Sequence, residues 1–476
     1  MFADKIHSLG CDLSDRRLQN ILKKITELKS LAFPVVCLPD ILLKPRVEAP
    51  ASMAVATKNT IIPELTAPSV GCGMGIAKTS LQRHEVDEKF FEQFYKNMRR
   101  HLGARYGIGR NLLLWLGLTK RKKQKYDLTE EEFTRVIREG ASAVLEKYGF
   151  GSELLHAIEY KGSLFTDSEK HSLKLHDILP RVSFKNGMHD LGYGFKGNHF
   201  LEIQYVEEIL DPAIANQWNI KMDQVIIMFH GGGGVIPYHV GRYYGNRKKN
   251  TAKEKAILTI FKILFHFGSW EGIKHFRERF RFYILPRQFA EIPSDSEEGK
   301  RLLTALKAAL NYSYAFRVAM LRRINDSIRD VKEGSVPKAE LIWDTIHNSI
   351  LPETIRDKDV IVHRHTATRV FPGKPVIVSG FNTTSSYLAI GLKDAEGNLF
   401  SADHGAGGVI KKLEAEGVSR PHPKNHKTMI YQTKEPSRRE VNHITDEGLE
   451  HVMEHLKREG IASPVIRLRP LAVFKG

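Results

Sequence analysis

The chain has 476 residues, 42% hydrophobic and 27% charged, the balance of a soluble globular protein with room for one elaborated domain or two to three ordinary ones. Its 72 Lys and Arg against 55 Asp and Glu leave a formal net charge of +17, which points to a polyanionic partner, nucleic acid first. No apolar run reaches bilayer length and the N-terminus lacks an apolar secretory core. With only Cys11, Cys37 and Cys72 there is no disulfide framework either, so a cytoplasmic protein is expected.

In chain order, residues 12–30 read as an amphipathic helix, with Leu18, Ile21, Leu22, Ile25 and Leu28 at helical spacing. From Val35 to Leu81 short apolar pieces broken by Pro and Gly read as β structure. Residues 85–150 read as helical, and "DLTEEEFTRVIREGASAVLEKYG" offers an Asp cap at its start and a Gly stop at its end. "HFLEIQYV" alternates like a strand, and "QVIIMFHGGGG" is a buried strand running into a glycine turn. Residues 252–335 read as a long helical insertion. Beyond Asp359 β texture returns in "PVIVSGFNTTSSYLAIGL". The helix "TDEGLEHVMEHLKREG" and the strand "PVIRLRPLAVFKG" follow. No repeat or linker divides the chain. The expectation is a single large α+β domain, its sheets built from distant segments and elaborated by helices at about 85–150 and 252–335.

Two basic clusters sharpen the charge argument. "KRKKQK" (Lys120–Lys125) and "GRYYGNRKKN" (Gly241–Asn250), the latter mixing cations with Tyr243 and Tyr244, are the composition of a single-stranded nucleic-acid surface, or of a solvated loop. "GYGFKG" (Gly192, Gly194, Gly197) has dinucleotide-binding spacing, but a strand follows where a helix is required, so the match is accidental. A P-loop is absent from the sequence.

Ligand chemistry gathers where apolar strands meet glycine turns. Cys72 lies in "SVGCGMG", His199 in "GNHFLEI", His230 in "IIMFHGGGG", and His347 in "IWDTIHN", which reads as a helix. A thiolate and imidazoles suit a borderline divalent metal, although such residues also serve as ordinary packed or hydrogen-bonded side chains. His404 stands before Gly405, Ala406 and Gly407 in "DHGAGG", where a bare backbone admits close approach.

Taken in order, "LPD", "GCGMG", "GNHFLEI", "MFHGGGG", "NYSYAFR", "HN", "HGAG" and "RLRPLAVFKG" resemble the RtcB family, from about Val35 to Gly476. The resemblance implies a GTP-dependent RNA ligase that joins a 3′-phosphate, or 2′,3′-cyclic phosphate, to a 5′-hydroxyl. His404 would be the guanylylated nucleophile and Asp40 the carboxylate that holds it. Manganese, one or two ions, would be bound by Cys72, His199, His230 and His347, with GTP as co-substrate. Asn198, Glu202, Ser386 and Lys475 fall where the family contacts the nucleotide. An activator protein is a further partner the resemblance leaves open.

The sequence also departs from the family. The aspartate ligand three residues before the cysteine is Ser69, the histidine after P-D-x is Leu42, and the arginine after H-G-A-G is Gly408. The first serine of P-G-S-M-G-T-x-S-Y is Phe381, and S-G-S-R after His230 is replaced by glycines. Lost contacts to charged phosphate are worth ~1.5–3 kcal/mol each. Two alternatives to a full ligase therefore stand: a divergent paralogue that binds RNA ends or nucleotide without completing ligation, and an enzyme that guanylylates itself or processes a cyclic phosphate.

Overall fold

A computed structural model describes residues 3–44, 47–100, 124–193, 199–247, 251–332, 338–432 and 438–475. Its centre is a nine-stranded sheet. The main path runs Pro375–Val378, Ser386–Gly391, Ala462–Lys475, Phe200–Ile209, Gln224–Gly231, Gly73–Gln82, Glu340–Ile346, with Lys427–Gln432 and Arg439–Asn442 attached beside the last strand of the chain. A second sheet of five strands runs Ile6–Ser8, Val35–Leu42, Ala51–Thr57, Lys358–His365, Asn348–Ile355. Both are assembled from distant segments, as expected of an α+β domain.

Alternation explains how each sheet is covered. Val36, Leu38, Ala54 and Ala56 pack with the C-terminal helix Glu447–Arg458, while Val35, Cys37, Met53 and Val55 on the opposite face receive the helix Arg16–Thr26 through Leu18, Leu22 and Ile25. The central sheet is likewise buried on two sides. Ile203, Ile227 and Phe229 join the largest core cluster, and Ile226, Met228 and Leu468 join another.

Several expected elements take a different form. The helix read from Asp127 is capped by Thr129, whose hydroxyl accepts from Glu132, and ends at Gly140 (φ +68°) rather than Gly149. Asp127 binds His189 Nδ1 instead (2.7 Å). Residues 101–123 of that region, with Lys120–Lys123, lie outside the described residues. His347 is on no helix: it forms the corner between strands Glu340–Ile346 and Asn348–Ile355. The stretch 252–335 is divided among the helices Ala252–Phe267, Trp270–Lys274, Phe276–Arg279 and Glu297–Arg329. Its second half is a 33-residue helix, Glu297–Arg329, whose middle is buried on nearly every side, because Ala305, Ala308, Ala309, Ala315 and Ala319 allow close packing all round. The basic-aromatic cluster is largely interior as well. Tyr243 and Tyr244 are buried, and Arg247 donates to Glu48 and to the carbonyls of Gly241, Thr66 and Pro63, so these side chains cannot serve a nucleic-acid surface. Lys248 and Lys249 lie outside the described residues. No described helix is long and apolar enough to cross a membrane.

The long helix also fixes the central sheet. Arg317 is fully buried. It donates through Nε to Asp344 (2.6 Å) and through a terminal nitrogen to the Gly71 carbonyl (3.0 Å), clamping the turn that leads into Cys72. Arg317→Ala would leave Asp344 buried without its partner, a loss of ~3–5 kcal/mol. Urea unfolding should find that drop, and a variant within 1 kcal/mol of wild type would show that the clamp is dispensable.

Candidate functional site

Strand register brings four distant residues to one point. Gly73 pairs with Gly231 on one side and Ile346 on the other, and Phe200 pairs with His230. Cys72 precedes Gly73, His199 precedes Phe200, and His347 follows Ile346, so all reach the same end of the sheet. His347 N–H then donates to the Cys72 carbonyl (2.9 Å) and locks that corner. His230 Nε2 lies 3.1 Å from Cys72 Sγ and 2.9 Å from His347 Nε2, and His199 Nε2 lies 3.4 Å from the same sulfur. The ligating atoms of Cys72, His199 and His230 all fall within 4.8 Å of one another.

The charge state of this cluster suits a cation. Burial holds His230 and His347 well below the ordinary imidazole range, so both are neutral lone-pair donors. Burial pushes the Cys72 thiol up to about 12, with Arg317 and Lys44 opposing. A soft sulfur and several imidazole nitrogens converging within contact distance fit a divalent transition metal. Carboxylates steady the frame rather than the centre. Glu159, buried, accepts from Thr345 Oγ1 (3.0 Å) and Ile346 N–H (2.8 Å), directly before His347. Ser69 is three residues before Cys72, and its carbonyl and hydroxyl both face Asn348 Nδ2 (3.2 and 3.4 Å).

His404 adjoins this cluster, its ring centroid 4.3 Å from that of His347 and 6.1 Å from that of His230. Its Nδ1 faces the Thr366 carbonyl at 3.1 Å. A carbonyl only accepts, so Nδ1 carries the hydrogen and Nε2 keeps a free lone pair. Burial and the charge of Lys44 hold the ring's pKa down to about 3, which makes it neutral at physiological pH. The Thr366 carbonyl is aimed by an unusual backbone: this β-branched residue has φ +50°, a conformation costing ~1–3 kcal/mol. Asn348 Oδ1 accepts from its N–H (2.8 Å) and its hydroxyl accepts from Ser52 N–H (2.6 Å), holding it there.

Asp40, expected to hold His404, makes other contacts in this structure. Asp40 Oδ1 accepts from Gly408 (2.6 Å) and Val409 (2.8 Å), the first amides of helix Gly407–Ala415, and the hydrogen bond that orients His404 comes from Thr366. Asp40 N–H donates to Asp403 Oδ2 (3.3 Å), and Asp403 Oδ1 is buried without a hydrogen bond. Burial raises both carboxyls, Asp40 to about 7, and the neighbouring Asp40 charge raises Asp403 further, so one proton is held in the pair near neutrality.

The glycines after His404 serve the chain's own packing. A Cβ on Gly405 would stand 2.6 Å from Ser379 Oγ, and one on Gly407 would stand 3.1 Å from the Phe381 ring. One on Gly408 would meet Leu42 Cδ2 at 2.5 Å and Asp40 Oδ1 at 2.9 Å. Three departures noted in the sequence, Leu42, Phe381 and Gly408, thus belong to one packed unit over the His404 loop.

Glu202, Ser386 and Lys475 are brought near one another. Burial pushes Glu202 up to about 8, and Gln204 Nε2 donates both to it (2.7 Å) and to Ser386 Oγ (3.3 Å). Lys475 is lowered by burial and stabilised by Glu202, and its Nζ donates to Asn382 Oδ1 (3.3 Å). Asn198 lies outside the described residues. Sequence reading missed Thr366, Asn348, Asp403, Gln204 and Lys44. Asp403 and Asn348 stood beside singled-out histidines. Lys44, within electrostatic reach of Asp40, Cys72 and His404, is a cation carried by "LLKPRVEAP".

Residues 21–476 match the family model described as RtcB, tRNA-splicing ligase RtcB. Among similar curated proteins named tRNA-splicing ligase RtcB, one from Methanococcus maripaludis is 27% identical over 437 residues, covering 86% of this chain and 80% of the relative. Another from Thermococcus kodakarensis is 26% identical over 451 residues, covering 88% and 83%. A third from Aeropyrum pernix is 25% identical over 467 residues, covering 90% and 84%.

The Asp40–Asp403 pair generates a pH prediction. A carboxyl raised on folding binds its proton more tightly in the native state, so it costs nothing below the unfolded pKa near 4. Stability then falls as pH rises towards the folded value, about 7 for Asp40, by at most ~1.4 kcal/mol per pH unit per proton. Asp403→Asn removes one ionisation. Denaturation between pH 4.5 and 7.5 should show a shallower decline than wild type, and parallel profiles would mean that the pair does not share a proton.

Proposed function

The chain belongs to the RtcB family, and we propose that it is an RNA ligase joining 3′-phosphate or 2′,3′-cyclic phosphate ends to 5′-hydroxyl ends, with GTP as co-substrate and manganese as cofactor. The observation that carries this reading is the His404 tautomer: Nδ1 committed to the Thr366 carbonyl, Nε2 free, and the ring neutral beside a cysteine–histidine cluster.

His404 Nε2 attacks the α-phosphorus of GTP. The N–P bond forms as the bond to the bridging oxygen breaks, and pyrophosphate leaves with that electron pair. The Thr366 carbonyl stabilises the ring as it becomes cationic, because the Nδ1–H···O bond strengthens with positive charge on the donor. An oxygen of the RNA 3′-phosphate next takes the guanylyl group and breaks the N–P bond, which returns His404 to its neutral form. The 5′-hydroxyl then attacks the activated RNA phosphorus, GMP leaves, and the hydroxyl proton passes to a basic group. A cyclic end must first be opened by water to a 3′-phosphate. Cys72, His199, His230 and His347 would hold a divalent ion, which offsets phosphate charge and assists departure of pyrophosphate. Lys44 and Lys411 supply cationic charge near the His404 loop, where Gly408 offers no arginine.

A second reading, an RtcB paralogue that binds nucleotide or RNA ends without ligating them, is favoured by one observation. Leu42, Phe381 and Gly408 pack apolar surface against the loop where the family pattern has polar side chains.

Incubation with α-³²P-labelled GTP and Mn²⁺ should label the protein, through an acid-labile linkage absent in His404→Ala. A protein left unlabelled with every divalent metal would sink the ligase reading in favour of the second. In a separate metal analysis, Ser69→Asp should raise bound manganese from about one ion per chain towards two, since a carboxylate is a far better ligand than a hydroxyl held by Asn348. Unchanged stoichiometry would mean that position 69 is not directed at the metal.

A further inference from the structure

Away from His404, three ligating side chains meet where strand Phe200–Ile209 faces the segment between helices Gly407–Ala415 and Glu447–Arg458. Glu207, His422 and His426 place a carboxylate oxygen and two imidazole nitrogens within 4.8 Å of one another. The backbone builds this meeting. The register with strand Ala462–Lys475 steps from Glu208↔Arg467 to Val206↔Leu468, leaving Glu207 as the extra residue of a bulge, a feature that re-aims a side chain. In "PHPKNH", His422 N–H donates to the His443 carbonyl (2.9 Å) and His443 N–H donates to the His426 carbonyl (2.9 Å). The His422 and His426 rings end 4.9 Å apart.

Two observations point to a missing ligand. His426 Nε2 is buried and makes no hydrogen bond, with Glu207 Oε1 3.5 Å away. Buried polar atoms are rarely left so, since the lost hydration costs ~1–3 kcal/mol. The second is charge. Arg469 binds Glu207 Oε2 (2.9 and 2.7 Å) and Asp446 Oδ2 (2.7 Å), so one guanidinium serves two carboxylates and Glu207 Oε1 stays turned to the histidines. A carboxylate oxygen left clear of the guanidinium and facing two imidazoles is a setting for a dication. The remaining contact, Lys424 N–H to His422 Nδ1, is long at 3.3 Å and cheap to give up.

We propose that Glu207, His422 and His426 form a second divalent-metal site, selective for zinc or a similar transition metal, which ties the segment after Ala415 to the central sheet. Two imidazoles and one carboxylate are a zinc-type donor set and leave a coordination position for water. The site is not isolated. Asp446, which shares Arg469 with Glu207, accepts from Ser385 N–H (2.8 Å), the residue before Ser386, so the ion would steady that strand end.

The test uses the full chain, stripped of metal and titrated with Co²⁺ and then Zn²⁺. Cys72→Ala/His230→Ala should still hold one cobalt ion with ligand-field bands but no thiolate-to-cobalt charge transfer, displaced stoichiometrically by zinc. His422→Ala/His426→Ala should lose that ion, with affinity at least tenfold weaker, while keeping the thiolate band. If this double variant fails to fold by circular dichroism, His422→Gln on the outer ring replaces it, with the same expectation. Absence of any bound ion in Cys72→Ala/His230→Ala would overturn the proposal. So would an ion that binds equally well without the two histidines.

Discussion

Everything at this centre depends on the mutual register of four neighbouring strands. Gly73 lies between Gly231 and Ile346, and Phe200 lies against His230. Because side chains alternate along a strand, a slip of one residue would turn the ligand-bearing ends to opposite faces and scatter them. Residues separated by more than 270 positions become a cluster only because hydrogen bonding fixes that register. The long helix protects it, spending a buried arginine on Asp344 and the Gly71 carbonyl. Glu159 adds a carboxylate that holds the strand end before His347.

The same burial sets the chemistry. Imidazoles withdrawn from water lose their protons, thiols and carboxyls keep theirs, and each shift has a local reason in the packing. For His404 the consequence is a neutral ring whose tautomer is decided by a carbonyl. A carbonyl serves here where a carboxylate was expected, and the difference is physical. It fixes the hydrogen on Nδ1 without placing a full negative charge beside the ring. The carboxylate of Asp40 is used one step away, at the start of the helix that follows His404, where two amides and the helix dipole receive it.

The parts of this arrangement that a sequence shows are those carried by short-range pattern. Strands such as "QVIIMFHG" and "HFLEIQYV", the helix at Leu18–Ile25 and the ordered set of Cys72, His199, His230, His347 and His404 were legible. Apolar periodicity and motif order survive without knowledge of tertiary structure. What was not legible depends on the third dimension. His347 looked helical because "IWDTIHN" has no glycine or proline to break it, yet pairing with Gly73–Gln82 makes it a strand corner. Tyr244 and Arg247 looked like a nucleic-acid surface because composition cannot tell a solvated cation from one buried against four acceptors. Thr366 was invisible, since its contribution is a carbonyl and a backbone angle, neither of which a side chain announces.

The departures from the family pattern also change meaning once they are seen together. Taken singly, glycine at 408, leucine at 42 and phenylalanine at 381 read as lost polar side chains. In the structure Leu42 occupies the space a side chain at 408 would need, and the Phe381 ring lies against Gly407. A side chain at 408 would meet Leu42 and the Asp40 carboxylate at once, so glycine there goes with the packing of both. The loop has been repacked as a unit, with Lys411 laid over Phe381 at 5.2 Å and Lys44 brought into range of Asp40 and His404.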